Sequence, residues 1–554
     1  MKTAFTVSSN REQNPFKDLI ILAVVFGFAF FQRLGQIPLL DSDEGRYAEI
    51  PREMLERGDF ITPFLNYVKY FEKPPLHYWL EAISFKIFGF SEFAARAPGA
   101  LMGLCGVLFT YHVGRTVFGR RAGLLAATIL GTSLGFVVIG RYNVIDMTLT
   151  FWMTATLGCF LLAVHDRGRR AGLYYYLFYV AAALTVLAKG LIGLVLPGGV
   201  IVLFMILTRR WRLLREMRLP TGTLLFLLVA APWFILVSLH NPEFPRFFFI
   251  HEHFERFLTK VHGRYEPPWF FIPVLAGFML PWSFYLPSAI RGMWQERHTP
   301  TGGARLYLLL WGAVIFTFFS LSSSKLIPYI LPVFPAVALL VGEFFSRVAD
   351  RRAPFPTLPT VLAAAVLTIG GAGGILFPHL ARNPKLSVLA GAVIGSCLLA
   401  QGIAAFVGLR RKKAAVLLVS FGLFSYLLGI VGPPFILART AERKSFRELG
   451  QLVKEKAGPD TAVASFQTYQ QGFSYYAGRR IIIVGDRGEL DFGSRQGDQS
   501  AWFMDEQGFA RLWDSGRPVI ALIKEDALPG LKKLVTTPPR ELGRKGKALL
   551  VANH

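Results

Sequence analysis

Long apolar stretches, separated by short polar ones, recur from near the start of the chain to about residue 436. A helix needs roughly 20 mostly apolar residues to cross the hydrocarbon core of a bilayer. The first stretch follows Lys2, Arg11 and Lys17 and lacks a small-residue cleavage site, so we interpret it as an uncleaved helix and not as a signal peptide. The pattern predicts thirteen membrane-spanning helices, with approximate limits 18–34, 97–117, 122–140, 144–164, 172–188, 190–208, 219–239, 269–289, 306–322, 326–346, 357–377, 386–408 and 414–436.

Basic residues mark alternate connections between these stretches. Seven segments carry clusters of Lys and Arg, whereas the short connections between them carry one or two each, such as Arg141, Lys189 and Lys325. Because cytoplasmic loops are enriched in Lys and Arg, the pattern predicts a cytoplasmic N-terminus. An odd number of spans then places the C-terminus on the outer face, together with two long loops at about 35–96 and 240–268.

The composition narrows the class of protein. The chain has 554 residues, of which 53% are hydrophobic and 17% charged, and its formal net charge is +24. Soluble domains are usually about a quarter charged, and disordered chains have low hydrophobicity. Basic chains commonly bind nucleic acid, but these basic residues lie between apolar runs, so we expect no nucleic-acid partner. The three cysteines lie within apolar runs, which predicts packing and no disulfide framework.

The outer regions have patterns typical of ordered structure. Asp43 could cap a helix with an amphipathic spacing, and Pro74-Pro75 opens a second helix. We expect both helices to lie at the membrane surface. From about residue 438 the composition changes, with buried strands predicted at 462–466, 480–484 and 518–523 and helices at 445–457, 505–513 and 527–535. We therefore divide the chain into a transmembrane domain, 1–437, and an outer α/β domain, 438–554.

Charged residues are concentrated at the start of the first outer loop. Asp41, Asp43 and Glu44 lie within four residues and are followed by Arg46. Transfer of a group to a phosphate or hydroxyl needs a carboxylate with a nearby cation, although a helix cap with solvated acids explains the same residues. Lys73 lies beside a helix start at the water–lipid boundary, where a cation suits a lipid phosphate. The alternative is a lysine that extends its ammonium group towards water.

Other segments on the predicted outer face contain further candidates. Asp146 lies near the outer end of the fourth span, where an ionisable group is costly and often functional, although a helix-end acid in water is an equal alternative. His251 and His253 flank Glu252 and could bind a metal, but surface histidines are the commoner outcome. Arg256 could pair with a phosphate through two hydrogen bonds. All these segments map to one face of the membrane, which indicates an active site there.

Two runs in the first outer loop are recognisable together: DSDEGRYAEIPREM, which begins at Asp41, and KYFEKPPL, which begins at Lys69. They closely resemble the lipid A aminoarabinose transferases, which belong to the protein-mannosyltransferase-like superfamily with the GT-C fold. The resemblance extends to 141–146, 251–256 and 324–329, and one departure is Ser42, where family members often have proline. It implies a polytopic α-helical membrane protein of the GT-C fold, with about 13 transmembrane helices and a C-terminal periplasmic α/β domain.

The resemblance also implies a set of site residues. These are the catalytic Asp43 and Asp146, the donor-phosphate clamps Lys73 and Arg256, the cavity residues Arg46, Tyr47, Tyr70 and Tyr329, and the metal-binding pair Glu72 and His251. The metal would be a structural divalent ion such as zinc. No organic cofactor is implied.

The reaction implied by the resemblance is an inverting transfer of 4-amino-4-deoxy-L-arabinose from undecaprenyl phosphate to a lipid A phosphate. The enzyme would lie in the bacterial inner membrane, with its active site in the periplasm, and its partners would be the polyprenyl donor, the lipid A acceptor and membrane lipids. One alternative is the same fold and carrier with a hexose or uronic acid and another lipid, polysaccharide or protein acceptor. A second alternative is a lipid transporter. A transporter would be expected to have ionisable residues at mid-membrane, whereas the ionisable residues of this chain cluster at the outer ends of the spans.

Overall fold

The structure, a computed structural model, describes residues 14–166, 168, 170–255, 266–295, 301–380 and 387–554. Helices dominate the part that precedes residue 445, because a backbone that crosses lipid must satisfy its hydrogen bonds within each segment. Around the first loop and the first spans they are α1 (Pro15–Phe31), α2 (Asp43–Arg57), α3 (Leu76–Phe88), α4 (Glu92–Phe118), α5 (Arg120–Thr132), α6 (Leu134–Gly140), α7 (Ile145–His165) and α8 (Ala171–Lys189).

The remaining helices of this part complete the apolar bundle. They are α9 (Ile192–Thr208), α10 (Leu213–Glu216), α11 (Leu219–His240), α12 (Phe271–Phe278), α13 (Leu286–Gln295), α14 (Gly302–Leu321), α15 (Phe334–Ala349), α16 (Thr357–Leu380), α17 (Val388–Arg411) and α18 (Ala414–Lys444). A π-helix, Arg246–Glu255, follows α11, and 3-10 helices at Trp282–Tyr285 and Ile327–Val333 precede α13 and α15. Helix α18 continues past the predicted domain boundary at 437, and the division of the chain into domains stays a prediction.

Each predicted span coincides with a helix or with a pair of consecutive helices, which confirms a polytopic helical membrane protein. Among the described residues, nine helices are long and apolar enough to cross a membrane, or up to eleven when each bent pair counts as one span. One pair, α5 with α6, bends by 63°, and the other bends by 110° near Pro281, which lacks a backbone N–H. Helices α1 and α9 have 17 residues each. The total of thirteen spans therefore stays a prediction.

The first outer loop consists of α2, a hairpin of β1 (Phe64–Leu65) with β2 (Val68–Lys69), and α3. The prediction that Asp43 caps α2 is wrong, because Asp43 is the first helical residue and Ser42 occupies the cap without a side-chain hydrogen bond. Residues 44–54 of α2 are buried within the protein, and the predicted position of this helix at the membrane surface stays a prediction. The neighbouring helices and the α/β domain cover α2 from both sides. Helix α3, in contrast, leaves Ile83 and Ile87 exposed.

The C-terminal part forms an α/β domain around a six-stranded sheet. The predicted strands are confirmed as β3 (Ala462–Phe466), β4 (Ile482–Val484) and β6 (Val519–Lys524), which are parallel. The sequence did not predict β5 (Phe503–Met504), β7 (Arg540–Lys545) or β8 (Ala548–Ala552), and the strand order is β5-β4-β3-β6-β8-β7. The helices are α19 (Arg447–Lys456), α20 (Gln471–Ala477), α21 (Asp491–Ser494), α22 (Glu506–Trp513) and α23 (Leu528–Leu534).

The α/β domain packs directly on the first outer loop. Asn66 donates from Nδ2 to the carbonyl of Ile481 at 2.8 Å, and its Oδ1 accepts from the N–H of Ile481 at 2.9 Å. Gly45 of α2 faces Gly472, where an added Cβ would lie only 2.3 Å from the Gly472 nitrogen. A side chain at position 45 would therefore push the two domains apart, so glycine permits the close approach.

Candidate active site

Helix α2 presents Asp43, Arg46 and Tyr47 on one face, because residues three and four apart lie on the same side of a helix. Arg46 forms ion pairs with Asp43 and with Glu489 of the α/β domain. Its side chain is buried, and within the described part of the chain its Nε has no hydrogen-bond partner. The side chain of Asp43 is 42% exposed. A buried guanidinium with a spare donor beside an accessible carboxylate is suited to binding a phosphate oxygen.

Tyr47 and Tyr70 form an aromatic wall next to Arg46. Both are buried, and burial raises the pKa of each phenol well above its usual value, so both stay protonated and can donate a hydrogen bond. The Tyr47 ring packs edge-on against His77, with 5.8 Å between ring centroids. The Arg46 guanidinium carbon lies 5.2 Å from the centroid of the Tyr47 ring.

Lys73 lies where the two outer loops meet. Its Nζ donates to the carbonyl of Glu72 at 2.7 Å and is 3.2 Å from Oε2 of Glu252. Glu252 belongs to the π-helix of the second outer loop, a helix form that is frequent at functional sites. Burial and the neighbouring Glu252 carboxylate raise the pKa of the Glu72 carboxyl. Lys73 therefore places a cation among partly compensated carboxylates at the edge of the site.

Asp146 lies in the first turn of α7 and forms an ion pair with Lys189, the last residue of α8. The Lys189 ammonium also lies 4.3 Å from the centroid of the Tyr329 ring, at a distance typical of a cation–π interaction. Tyr329 belongs to the 3-10 helix before α15. This group joins three spans at the end of the bundle from which the first outer loop projects.

Glu44 is excluded from the accessible part of the site. Arg96 donates two hydrogen bonds to its carboxylate, each at 2.7 Å, and the backbone N–H of Asn143 donates a third at 2.8 Å. The backbone N–H of Leu40 donates a fourth, also at 2.8 Å. The carboxylate is thus saturated and fully buried. Its role is to connect the first loop to α4 and to the segment before α7.

His77 holds the start of α7 from the other side. Its ring nitrogens lie 3.1 Å from Oδ1 of Asn143 and 2.9 Å from Oγ1 of Thr148. Burial lowers the pKa of His77 to about 4, so the ring is neutral at physiological pH. Asn143 and Thr148 flank Asp146 in the chain, so the two hydrogen bonds fix the backbone that carries this carboxylate.

The separate groups act on a common point, the phenol of Tyr47. Burial raises the pKa of this phenol. The charge of Arg46 lowers the pKa, and the carboxylates of Asp43, Asp146 and Glu72 raise it further. Electrostatic effects of this kind fall off with distance. The structure therefore brings together predicted site residues from the first loop and from the start of α7, which are about a hundred positions apart in the chain.

Comparisons with known proteins place this chain in a family. Residues 72–236 match the family described as dolichyl-phosphate-mannose-protein mannosyltransferase, and residues 449–553 match the aminoarabinose transferase C-terminal domain. The chain is 31% identical over 518 residues to the undecaprenyl phosphate-alpha-4-amino-4-deoxy-L-arabinose arabinosyl transferase of Pectobacterium carotovorum, covering 88% of this chain and 89% of that protein. This chain belongs to the aminoarabinose transferase family. The enzyme of the same name from Pseudomonas paraeruginosa is 34% identical over 484 residues, covering 85% of this chain and 86% of that protein.

Solved structures of the family confirm the fold. The crystal structure of ArnT from Cupriavidus metallidurans bound to undecaprenyl phosphate superimposes with a TM-score of 0.85 at 29% identity, covering 97% of this chain and 98% of that chain. The archaeal oligosaccharyltransferase AglB from Archaeoglobus fulgidus has a TM-score of 0.52 at 16% identity, covers 93% of this chain and 69% of that chain, and shares the fold alone. The chain is thus an integral membrane glycosyltransferase of the GT-C fold.

The metal-binding pair that the resemblance implies, Glu72 and His251, gains no support from the geometry of the described residues. Among the residues that the structure describes, no group of three or more His, Cys, Asp or Glu side chains is placed to hold a metal ion. Glu72 is adjacent to the Lys73 cation, and the His251 ring lies 5.2 Å from that of Phe247. A structural zinc site needs four ligands, so within the described residues the predicted site is without support. The predicted clamp Arg256 lies outside the described residues.

Two candidate functional residues, Glu489 and Lys189, were not predicted from the sequence. Glu489 is separated from its partner Arg46 by 443 positions, and nothing in its local sequence marks it. Lys189 is predicted only as a basic residue of an outer connection. It lies at the outer end of a span, on the same predicted face as Asp146, and this position is the signal from which an ion pair with Asp146 could be predicted. The predicted site residues that the structure describes, from Asp43 to Tyr329, lie at one end of the helical bundle.

Proposed function

We propose that this chain transfers 4-amino-4-deoxy-L-arabinose from undecaprenyl phosphate to a phosphate of lipid A, with inversion, on the periplasmic face of the bacterial inner membrane. The observation that carries the proposal is the convergence of Asp43, Arg46 and Asp146 around Tyr47, with Lys73 beside Glu72 and Glu252, at one end of an apolar bundle. Relatives that match most of the chain are named for this transfer. Arginine and lysine side chains at the end of an apolar bundle suit a donor whose phosphate is attached to a polyprenyl chain.

The chemistry is a single displacement at the anomeric carbon of the sugar. An oxygen of the acceptor phosphate forms the new bond to this carbon, and the bond to the undecaprenyl phosphate oxygen breaks. The electron pair leaves with that oxygen, so negative charge grows on the departing phosphate. Arg46 and Lys73 supply the positive charge that stabilises it, and Arg256 is the third proposed clamp.

The carboxylates have positioning and proton-binding roles in this proposal. An acceptor phosphate is already anionic, so it needs less help from a general base than an alcohol does. Asp43 holds the Arg46 guanidinium in place and is exposed enough to accept any proton that the acceptor still carries. Asp146 holds Lys189 against the ring of Tyr329, at the same end of the bundle. Tyr47 and Tyr70 remain protonated and donate hydrogen bonds to phosphate oxygens.

The α/β domain, 438–554, contributes one side chain to this machinery in the proposal. Glu489 fixes Arg46 from the side opposite Asp43, and Gln471 donates to Glu489 at 3.3 Å. The transmembrane domain, 1–437, supplies the remaining groups and the apolar surface for the carrier lipid. The family enzyme would therefore be inactive when the two domains are separated.

The test is transfer by the purified full-length chain in lipid nanodiscs. Undecaprenyl phosphate carrying 4-amino-4-deoxy-L-arabinose is supplied with lipid A, and the lipid A is measured by mass spectrometry. We expect an added amino-pentose on a phosphate and, by nuclear magnetic resonance, the opposite anomeric configuration to that of the donor. Parallel reactions use undecaprenyl phosphate carrying a hexose or a uronic acid. Efficient use of one of these donors, with no transfer of the amino-pentose, would contradict the proposal.

A further inference from the structure

An open cleft of about 840 Å³ lies between the first outer loop and the α/β domain. One wall comes from α2, α3 and the residues that lead into α4, and the other comes from α19 and the end of α20. None of the candidate active-site residues lines it. The proposed transfer therefore leaves this cleft without a role.

The cleft has more basic than acidic side chains. Lys86, Lys454 and Arg447 line it, and Arg447 is 3.2 Å from Glu92. Arg52, also in the lining, is already compensated by carboxylates of its own helix. Within the described residues, the ammonium groups of Lys86 and Lys454 form no salt bridge, and both side chains are exposed. Two uncompensated ammonium groups in one cleft favour a ligand with negative charge.

An apolar strip borders the cleft on the side of α3. Ile83, Ile87, Phe88 and Phe90 are between 55% and 66% exposed, and Phe90 also lines the cleft. Helix α3 is adjacent in sequence and in space to α4, a membrane-spanning candidate. Exposed Phe and Ile at the end of a span suit contact with lipid chains. The Lys86 ammonium lies 5.7 Å from the centroid of the Phe60 ring, at the edge of this strip.

We propose that the cleft binds the phosphate group of a membrane amphiphile, at a site separate from the active site. Lys86 and Lys454 contact the phosphate, and lysine commonly binds phosphate as a point charge. The acyl chains lie along the strip formed by Ile83, Ile87 and Phe88. The opposite chemistry on the two sides, cationic inside and apolar outside, matches an anionic lipid and not a soluble polyanion. This inference does not depend on the sugar or acceptor of the transfer reaction.

The test is retention of lipid by the full-length chain, measured by native mass spectrometry after exchange into vesicles of phosphatidylglycerol or phosphatidylcholine. The test variant is Lys86→Gln/Lys454→Gln, and the matched control is Lys532→Gln/Lys533→Gln, at two exposed lysines outside the cleft. We expect phosphatidylglycerol retention to fall about tenfold in the test variant, with no change in the control. Thermal unfolding of each variant checks that the fold is kept. The charge-reversed Lys86→Glu/Lys454→Glu should lose retention still further.

Three outcomes would overturn the proposal. If the wild type, Lys86→Gln/Lys454→Gln and Lys86→Glu/Lys454→Glu retain equal amounts of phosphatidylglycerol, the cleft is not the binding site. Equal retention of phosphatidylcholine and phosphatidylglycerol by the wild type would remove the dependence on the anionic charge. A third arm adds inorganic phosphate: displacement of the lipid at low millimolar phosphate would assign the cleft to a free phosphate and would contradict an amphiphile as ligand. The transfer reaction is not used as a readout, so failure here leaves the proposed function untouched.

Discussion

Two arginine–carboxylate clusters, one at each end of the helical bundle, differ in how completely the hydrogen bonds of their charged groups are satisfied. At the end where α1 begins, Asp18 accepts two hydrogen bonds from Arg120, each at 2.7 Å, and one from Tyr111 at 2.6 Å. Arg115 lies 3.4 Å from the same carboxylate. Only 4% of the Asp18 side chain is exposed. This cluster connects α1, α4 and α5 and leaves no room for a ligand.

The cluster at the other end is open. Arg46 is paired on two sides, yet within the described residues its Nε has no partner, and Asp43 is 42% exposed. Asp146 and Glu72 add charges near Tyr47, and Lys73 lies next to Glu72. A saturated cluster contributes to stability, whereas a cluster with unsatisfied donors keeps binding capacity for a ligand. The functional cluster thus differs from the structural one in how many of its hydrogen-bonding groups are satisfied, and not in burial alone.

The largest expected effect comes from removing charges of the open cluster. Lys73→Ala or Asp43→Ala should lower transfer at least about a thousandfold, because each removes charge or positioning at the departing phosphate. The variants should still fold, since neither side chain fills the core. Transfer to lipid A in nanodiscs, followed by mass spectrometry, measures the loss. Lys532→Ala and Asp526→Ala, exposed positions of the α/β domain, are the controls. Wild-type turnover by both site variants would refute their assignment.

Asp18→Asn should affect stability and spare the chemistry. It removes the negative charge that two partly exposed arginines share, so the cost should be below the roughly 3–5 kcal/mol that is typical of a fully buried pair. We expect a lower unfolding temperature in detergent, with turnover per folded molecule close to that of the wild type. A loss of turnover in a variant with unchanged stability would mean that the closed cluster also takes part in the reaction.

Glu489→Gln tests whether the α/β domain completes the open cluster. Loss of the negative charge weakens one of two restraints on Arg46, so kcat should fall by about tenfold while the domain stays docked. Steady-state kinetics separate kcat from KM. Glu448→Gln removes a comparable ion pair with Lys545 on the domain surface and should leave both constants unchanged. If the two variants behave alike, Glu489 has only a structural role.

The smallest effect on transfer is expected at Asp41, which lies at the contact between the first loop and the α/β domain. Here the expected change is in stability. Burial raises the pKa of this carboxyl from 3.8 to about 7, although the N–H of Gly472 donates to it at 2.7 Å. Between pH 4 and pH 7 the folded state therefore binds more protons than the unfolded state, and stability falls as the pH rises.

Asp41→Asn removes this titration and keeps an acceptor for Gly472. By this linkage the wild type should lose up to about 3 kcal/mol of stability relative to the variant between pH 5 and pH 8, most of it below pH 7. Unfolding temperatures across this pH range measure it. A constant difference at all pH values would show that Asp41 does not titrate at this contact.

The helices were predictable because their signals are local. Apolar length predicts a span from the residues of that span alone, and the strands β3, β4 and β6 are continuous apolar runs. The strands β7 and β8 were missed because β7 is mostly polar and its pairing with β8 depends on distant neighbours. The burial of α2 on both sides was not predictable for the same reason. Its amphipathic pattern shows that one face is buried, but it contains no information about the α/β domain that covers the other face.

Length, hydropathy and charge position are properties of consecutive residues, so the amino-acid sequence predicts a basic, polytopic membrane protein with carboxylates and cations clustered on one face. Family motifs in the first loop added the expected reaction. The folded structure shows which of these charged groups are saturated and which are open. Arg96 closes off Glu44, Lys189 pairs with Asp146, and Glu489 reaches Arg46 from the other domain. Such pairings depend on contacts between residues far apart in the chain, and no local pattern encodes them.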